Sequence, residues 1–149
     1  MNEEKARGKQ DEEKKIFNFT SLRVWREIFP AVMDLEKALK SNPSTGENPV
    51  RDRLLTTAHQ ALEELVAGYY KFHLAEKYLE YNRARRKASI ALFLTYRMGF
   101  SGTLEKEQAL HLGKRLKESI IMMNSLIKNL ENKIKRMGEA RELLEKIRM

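Results

Sequence analysis

Cysteine is absent from this 149-residue chain, which removes both a disulfide framework and a thiol nucleophile. Histidine is nearly as scarce. The three present, His59, His73 and His111, stand in no Ser-His-Asp order and beside no glycine elbow, so hydrolytic catalysis finds no support. His59 with Glu63 and Glu107 with His111 are each one helical turn apart. A di-iron bundle instead needs Glu-x-x-His pairs on two helices, so surface hydrogen bonding is the expected role and neither a metal nor a cofactor is implied. No run of 18 apolar residues occurs, and the first fifteen residues alternate acids and bases. Membrane spanning and secretory export are both disfavoured, and a cytoplasmic protein is expected. Zinc-finger spacings, phosphate-binding glycine loops and glycine-aromatic RNA motifs are missing too.

The chain does contain helical periodicity. Ala109, Leu116, Ile120, Met123, Ile127, Leu130, Ile134 and Met137 recur mostly in steps of four and three, the period of a helical seam. Gly102 ends what precedes it, and Thr103 is placed to cap this helix. Upstream, Trp25, Ile28, Phe29, Val32, Leu35 and Leu39 form a stripe from Thr20 or Ser21 to about Lys40, with Pro30 predicting a kink. The text from Ser41 to Pro49 reads as a loop, and Asn48-Pro49 as a helix start. Val50, Leu54, Ala58, Ala61, Leu65, Gly68 and Phe72 then share a side. Gly68 either admits a close neighbour or opens a turn. A corner between Gly68 and Leu74 leads to a third helix reaching about Met98, whose main face carries Tyr81, Ala84, Ala88, Ala91, Leu92, Thr95 and Met98. Four helices with short connections predict an all-α, antiparallel up-down four-helix bundle over residues 17–137. A flexible charged tail is expected over 1–16 and a helical extension over 138–149. A chain of this length buries about 70% of the surface its unfolded form exposes.

The third helix has a second apolar face, Leu79, Ile90 and Phe93, beside Arg83, Arg86 and Arg97. A lone bundle covers only one face, so these residues, with Trp25, are read as an oligomer interface. Cover by the chain's own tail or a loop is the alternative.

Lys and Arg number 29 against 21 acids, a net charge of +8. Five bases and five acids balance in the first fifteen residues, so the excess lies in the folded part, and a polyanionic partner such as RNA or an RNA–DNA hybrid is favoured. Ordinary charge-borne solubility is the competing explanation. Phosphate contact is assigned to Arg83, Arg86, Lys87, Arg97, Lys114, Arg115, Lys128, Lys135 and Arg136, drawn from runs that also hold Arg85, Lys117 and Lys133. A solvated face or interface ion pairs would explain the same residues. Tyr69, Tyr70 and Tyr78 are candidates for base stacking, and Tyr81 for the core.

The text Phe19-Thr-Ser-Leu-Arg-Val-Trp25 resembles the opening of the four-helix-bundle family encoded in 23S ribosomal RNA intervening sequences. Members commonly begin with phenylalanine, a short polar step and Leu-Lys-Val-Trp. Arg51-Asp-Arg-Leu-Leu, Leu65-Val-Ala-Gly68 and Tyr96-Arg-Met-Gly-Phe-Ser101 are similar to the related accessory variability proteins of diversity-generating retroelements. The Asn-Ile-Ala-Glu-Gly-like text of the first group is here Glu64-Leu-Val-Ala-Gly68, which favours the second. The resemblance spans roughly residues 17–133 and implies a noncatalytic homopentamer that binds nucleic acid and a reverse transcriptase. A protein-interaction scaffold without nucleic acid is the alternative.

Overall fold

The computed structural model describes residue 3, residues 18–41 and residues 48–148. The tail expected over 1–16, residue 3 apart, and the loop text at 42–47 lie outside the described residues. A 3-10 turn over Asn18–Ser21 precedes four helices: α1 (Arg23–Ser41), α2 (Pro49–Tyr69), α3 (Leu74–Phe100) and α4 (Lys106–Arg148). No strand occurs among the described residues. α2 packs on α3, α3 on α4, α4 on α1 and α1 on α2, so the helices close a four-sided bundle with α1 and α3 across the core from each other.

Local chemistry sets most helix ends where the sequence predicts them. Asn48 accepts a hydrogen bond from the Arg51 amide at 3.1 Å, and Pro49 fills a position whose amide would otherwise be unpaired. At the other end of α2 the Lys77 ammonium donates to the carbonyls of Gly68, at 3.2 Å, and of Tyr69, satisfying acceptors that the helix leaves open. α1 runs unbroken through Pro30, which is exposed.

Two expected features are corrected. α4 starts at Lys106, because Leu104 folds back, buries its side chain and donates its amide to the Met98 carbonyl at 3.1 Å. Thr103 consequently caps nothing, and its hydroxyl meets that of Ser101 at 2.9 Å. The apolar stripes also shift slightly. Phe29 and Phe72 are exposed, and Val24, Ala31, Ala38, Leu94 and Leu112 join the core in addition to the predicted residues.

Close packing of α3 on α4 depends on small residues. Ala84, Ala88 and Ala91 are buried on α3. A side chain at Gly99 would come within 2.6 Å of the Ala109 methyl, and one at Gly113 would enter the Tyr96 ring. With Arg85 bonded to Asn124 farther along, residue numbers fall on α4 as they rise on α3. α4 continues through Gly138, and residues 135–147 are all exposed.

Candidate nucleic-acid interface

The outer surface of the α3–α4 pair carries the densest uncompensated positive charge. Both acids of α3, Glu76 and Glu80, lie in its first two turns, and residues 81–104 contain none, against five bases. Arg85 bridges the two helices. Its guanidinium donates to Asn124 Oδ1 at 3.0 Å and to Asn82 Oδ1 at 2.9 Å, neutral acceptors that orient it without cancelling its charge. Arg86 and Arg97 are exposed and, eleven residues apart, repeat after three helical turns on one line.

The same interval recurs on α4. Lys106, Lys117 and Lys128 are exposed along the line next to α3, with Lys114 beside them. The acids Glu107 and Glu118 follow the adjacent line, and Glu118 borders a groove with Leu22 and Val24 toward α1. Lys106, Lys117 and Lys128 therefore face the α3 side of α4, while Lys114 shares the line of Glu107 and Glu118 and Arg115 turns to α1. Arg86, Arg97, Lys106, Lys114, Lys117 and Lys128 form no ion pair among the described residues.

The nine predicted phosphate contacts do not form one surface. Arg86, Arg97, Lys114 and Lys128 belong to the face just described. Arg83 instead bonds Glu80 at 2.8 Å. Lys87 is half-buried and, with Arg83, acts on Glu64 of α2, whose carboxyl burial pushes upward from the ordinary range against the pull of those two cations. Arg115 ties α4 to α1 through Asp34 at 2.6 Å, with its side chain only 23% exposed. Lys135 approaches Glu131 at 3.8 Å, and Arg136 is exposed on the part of α4 beyond the main core. One residue on a helix turns a side chain by about 100°, so Lys87 leaves the line of Arg86 and, with Arg83, acts toward α2. Arg85, Lys106 and Lys117 are missing from the predicted set. The acid-free interval on α3 and the eleven-residue recurrence on α4 are the signals that point to them.

Apolar side chains interleave with these cations. Phe93 is 62% exposed, Phe100 93% and Leu110 54%, while Ile121, 55% exposed, lines the groove toward α1 beside Glu118. Leu79 is also exposed, and Ile90 is half-buried against the core. Across the bundle, Trp25 is half-buried and stacks on Phe29 at 5.0 Å, with Phe19 edge-on at 4.9 Å. Tyr81 is buried, while Tyr69 and Tyr78 are half-buried and Tyr70 is exposed.

His59 lies 3.6 Å from Glu36 of α1, which also pairs with Lys40. Among the described residues no three His, Cys, Asp or Glu side chains form a metal-binding group. No helix among them is long and apolar enough to cross a membrane. Comparison with family models, curated proteins and solved structures finds no match to this chain.

Proposed function

We propose that this bundle is a noncatalytic nucleic-acid-binding protein that neutralises phosphates along the outer α3–α4 face. The cations Arg85, Arg86, Arg97, Lys106, Lys114, Lys117 and Lys128, none in an ion pair among the described residues, carry this reading. Guanidinium and ammonium groups bind a phosphate backbone through charge and register, without a base sequence. The accessory role beside a retroelement reverse transcriptase, and a homopentameric state, rest on the resemblance of the Phe19–Trp25, Arg51–Leu55, Leu65–Gly68 and Tyr96–Ser101 texts alone.

Charge reversal tests the binding directly. Changing Arg97, Lys117 and Lys128 together to Glu should weaken RNA retention at least tenfold and flatten its dependence on salt, with helicity unchanged. Equal retention by the variant across a salt titration would reject the assignment.

A second reading has its own observation. Leu79, Arg83, Arg86, Ile90, Phe93, Arg97 and Phe100 alternate in steps of four and three along the outside of α3, the spacing by which one helix receives another. An acidic helical partner would fit this seam, and the chain would then be a protein scaffold. Retention of an acidic protein but no length-dependent gain on RNA would favour that reading.

A further inference from the structure

A cavity of about 170 Å³ opens on the basic face where α3 ends and α4 begins, lined by Tyr96, Gly99, Phe100, Lys106, Ala109 and Leu110. Its floor exists because Gly99 and Ala109 bring little side chain to a place where the two backbones nearly touch. Tyr96 forms a fixed wall, its ring held against the buried Gly113. Phe100, in the last turn of α3, is 93% exposed and has almost no packing of its own. Leu110 closes the opposite side and is 54% exposed.

One cation, Lys106, belongs to the lining. Arg97 stands one turn before Phe100, and Lys114 one turn after Leu110. All three are exposed and make no ion pair among the described residues. Arg97 and Lys114, like Glu105 and Glu107 that adjoin Lys106 in sequence, stand outside the lining itself.

We propose that the nucleic acid bound by this face is single-stranded and that one unpaired base enters the cavity, stacking on Phe100 while Arg97, Lys106 and Lys114 hold the flanking phosphates. This rests on the nucleic-acid reading above and names its substrate class. Aromatic platforms with neighbouring cations suit single strands, whose bases offer their π-faces, and are useless to a duplex that keeps its bases stacked inside. The hollow accommodates one planar heterocycle and is too small for a base pair. A lipid surface would engage a convex apolar edge, whereas here the apolar groups frame a depression with Lys106 in its lining.

The test compares three labelled probes of equal length at fixed salt: a uridine homopolymer, an abasic strand with the same phosphates, and a duplex. The homopolymer should bind about tenfold more tightly than the abasic strand, with the duplex weaker than the homopolymer. Phe100→Ala should bring the homopolymer down to the abasic level without changing abasic binding, and circular dichroism should show the fold intact, since that ring packs on so little. Equal binding of homopolymer and abasic strand, an unaffected Phe100→Ala variant, or a preference for duplex would each overturn the base site. If Arg97→Glu with Lys117→Glu still abolishes binding to both strands, only the base site has failed. If no probe binds, the nucleic-acid reading has failed with it. Recovery on phosphatidylserine vesicles, lost in Phe100→Ala and without any base-dependent gain, would assign the cavity to lipid and also overturn the proposal.

Discussion

Gly68 shows how a single position can have two readings in sequence and one in space. It lies inside α2 and is buried, with a Cβ placed there coming within 2.8 Å of the Tyr81 ring and 3.1 Å of the Glu80 Cβ. Tyr81 is 3% exposed and cannot swing away. Helix propensity alone would make Gly68→Ala stabilising by about 1 kcal/mol, but overpacking at such a contact costs about 1–3 kcal/mol. The variant should therefore unfold at lower urea concentration than the natural chain. Glu64 was not legible as a special residue, because its burial depends on how α2 meets α3. One of its carboxylate oxygens is buried without a hydrogen-bond partner, and burial raises the group above 4.5. Between 4.5 and the raised value the folded chain retains a proton that the unfolded chain has released. Stability consequently falls as pH rises through that window. Glu64→Gln cannot ionise, so its melting temperature should match that of the natural chain below pH 4.5 and exceed it near neutrality.

Element identity was read well because long apolar stripes survive small errors in their ends. The corner between α2 and α3 and the Asn48 cap follow from local text, whereas the start of α4 depends on Leu104 reaching the Met98 carbonyl, a tertiary contact that periodicity does not encode. The helical extension expected over 138–149 is continuous with α4, which passes through Gly138, since one exposed glycine costs a helix only about 1 kcal/mol. α4 has 43 residues against 27 in α3, lengths of about 64 and 40 Å. The excess projects from the bundle, with Leu143, Leu144 and Ile147 each more than half exposed. A terminal helix without packing adds little to global stability. Removing residues 139–149 should lower helical ellipticity but move the unfolding free energy by less than about 0.5 kcal/mol. Amides of that segment should exchange with solvent well before those of Leu116 or Met123. A large loss of stability on truncation would show that the extension is packed in solution.

At the scale of the molecule, the net charge of +8 makes a polyanionic partner an expectation and gives it no place on the bundle. Position on the bundle separates Arg115, committed to Asp34, from Lys117, two residues later and free of any ion pair among the described residues. The same placement sharpens the question of assembly. The Trp25–Phe29 aromatic surface of α1 and the Leu79–Ile90–Phe93 seam of α3 belong to helices that stand across the core from each other. Two unlike surfaces suit a head-to-tail contact, which closes a ring when the rotation per subunit allows it. The Arg83, Arg86 and Arg97 charges on the seam oppose its pairing with an identical seam. If copies associate this way, sedimentation equilibrium should give a multiple of 17.5 kDa. Leu79→Asp should then return the mass of one chain with full helicity, because the new carboxylate lies one turn before Arg83 and supports the isolated helix. Trp25→Ala, on the other surface, should dissociate the assembly as well. A natural chain that sediments as a single copy at micromolar concentration would dismiss the head-to-tail contact and assign the proposed nucleic-acid binding of the α3–α4 face to a monomer.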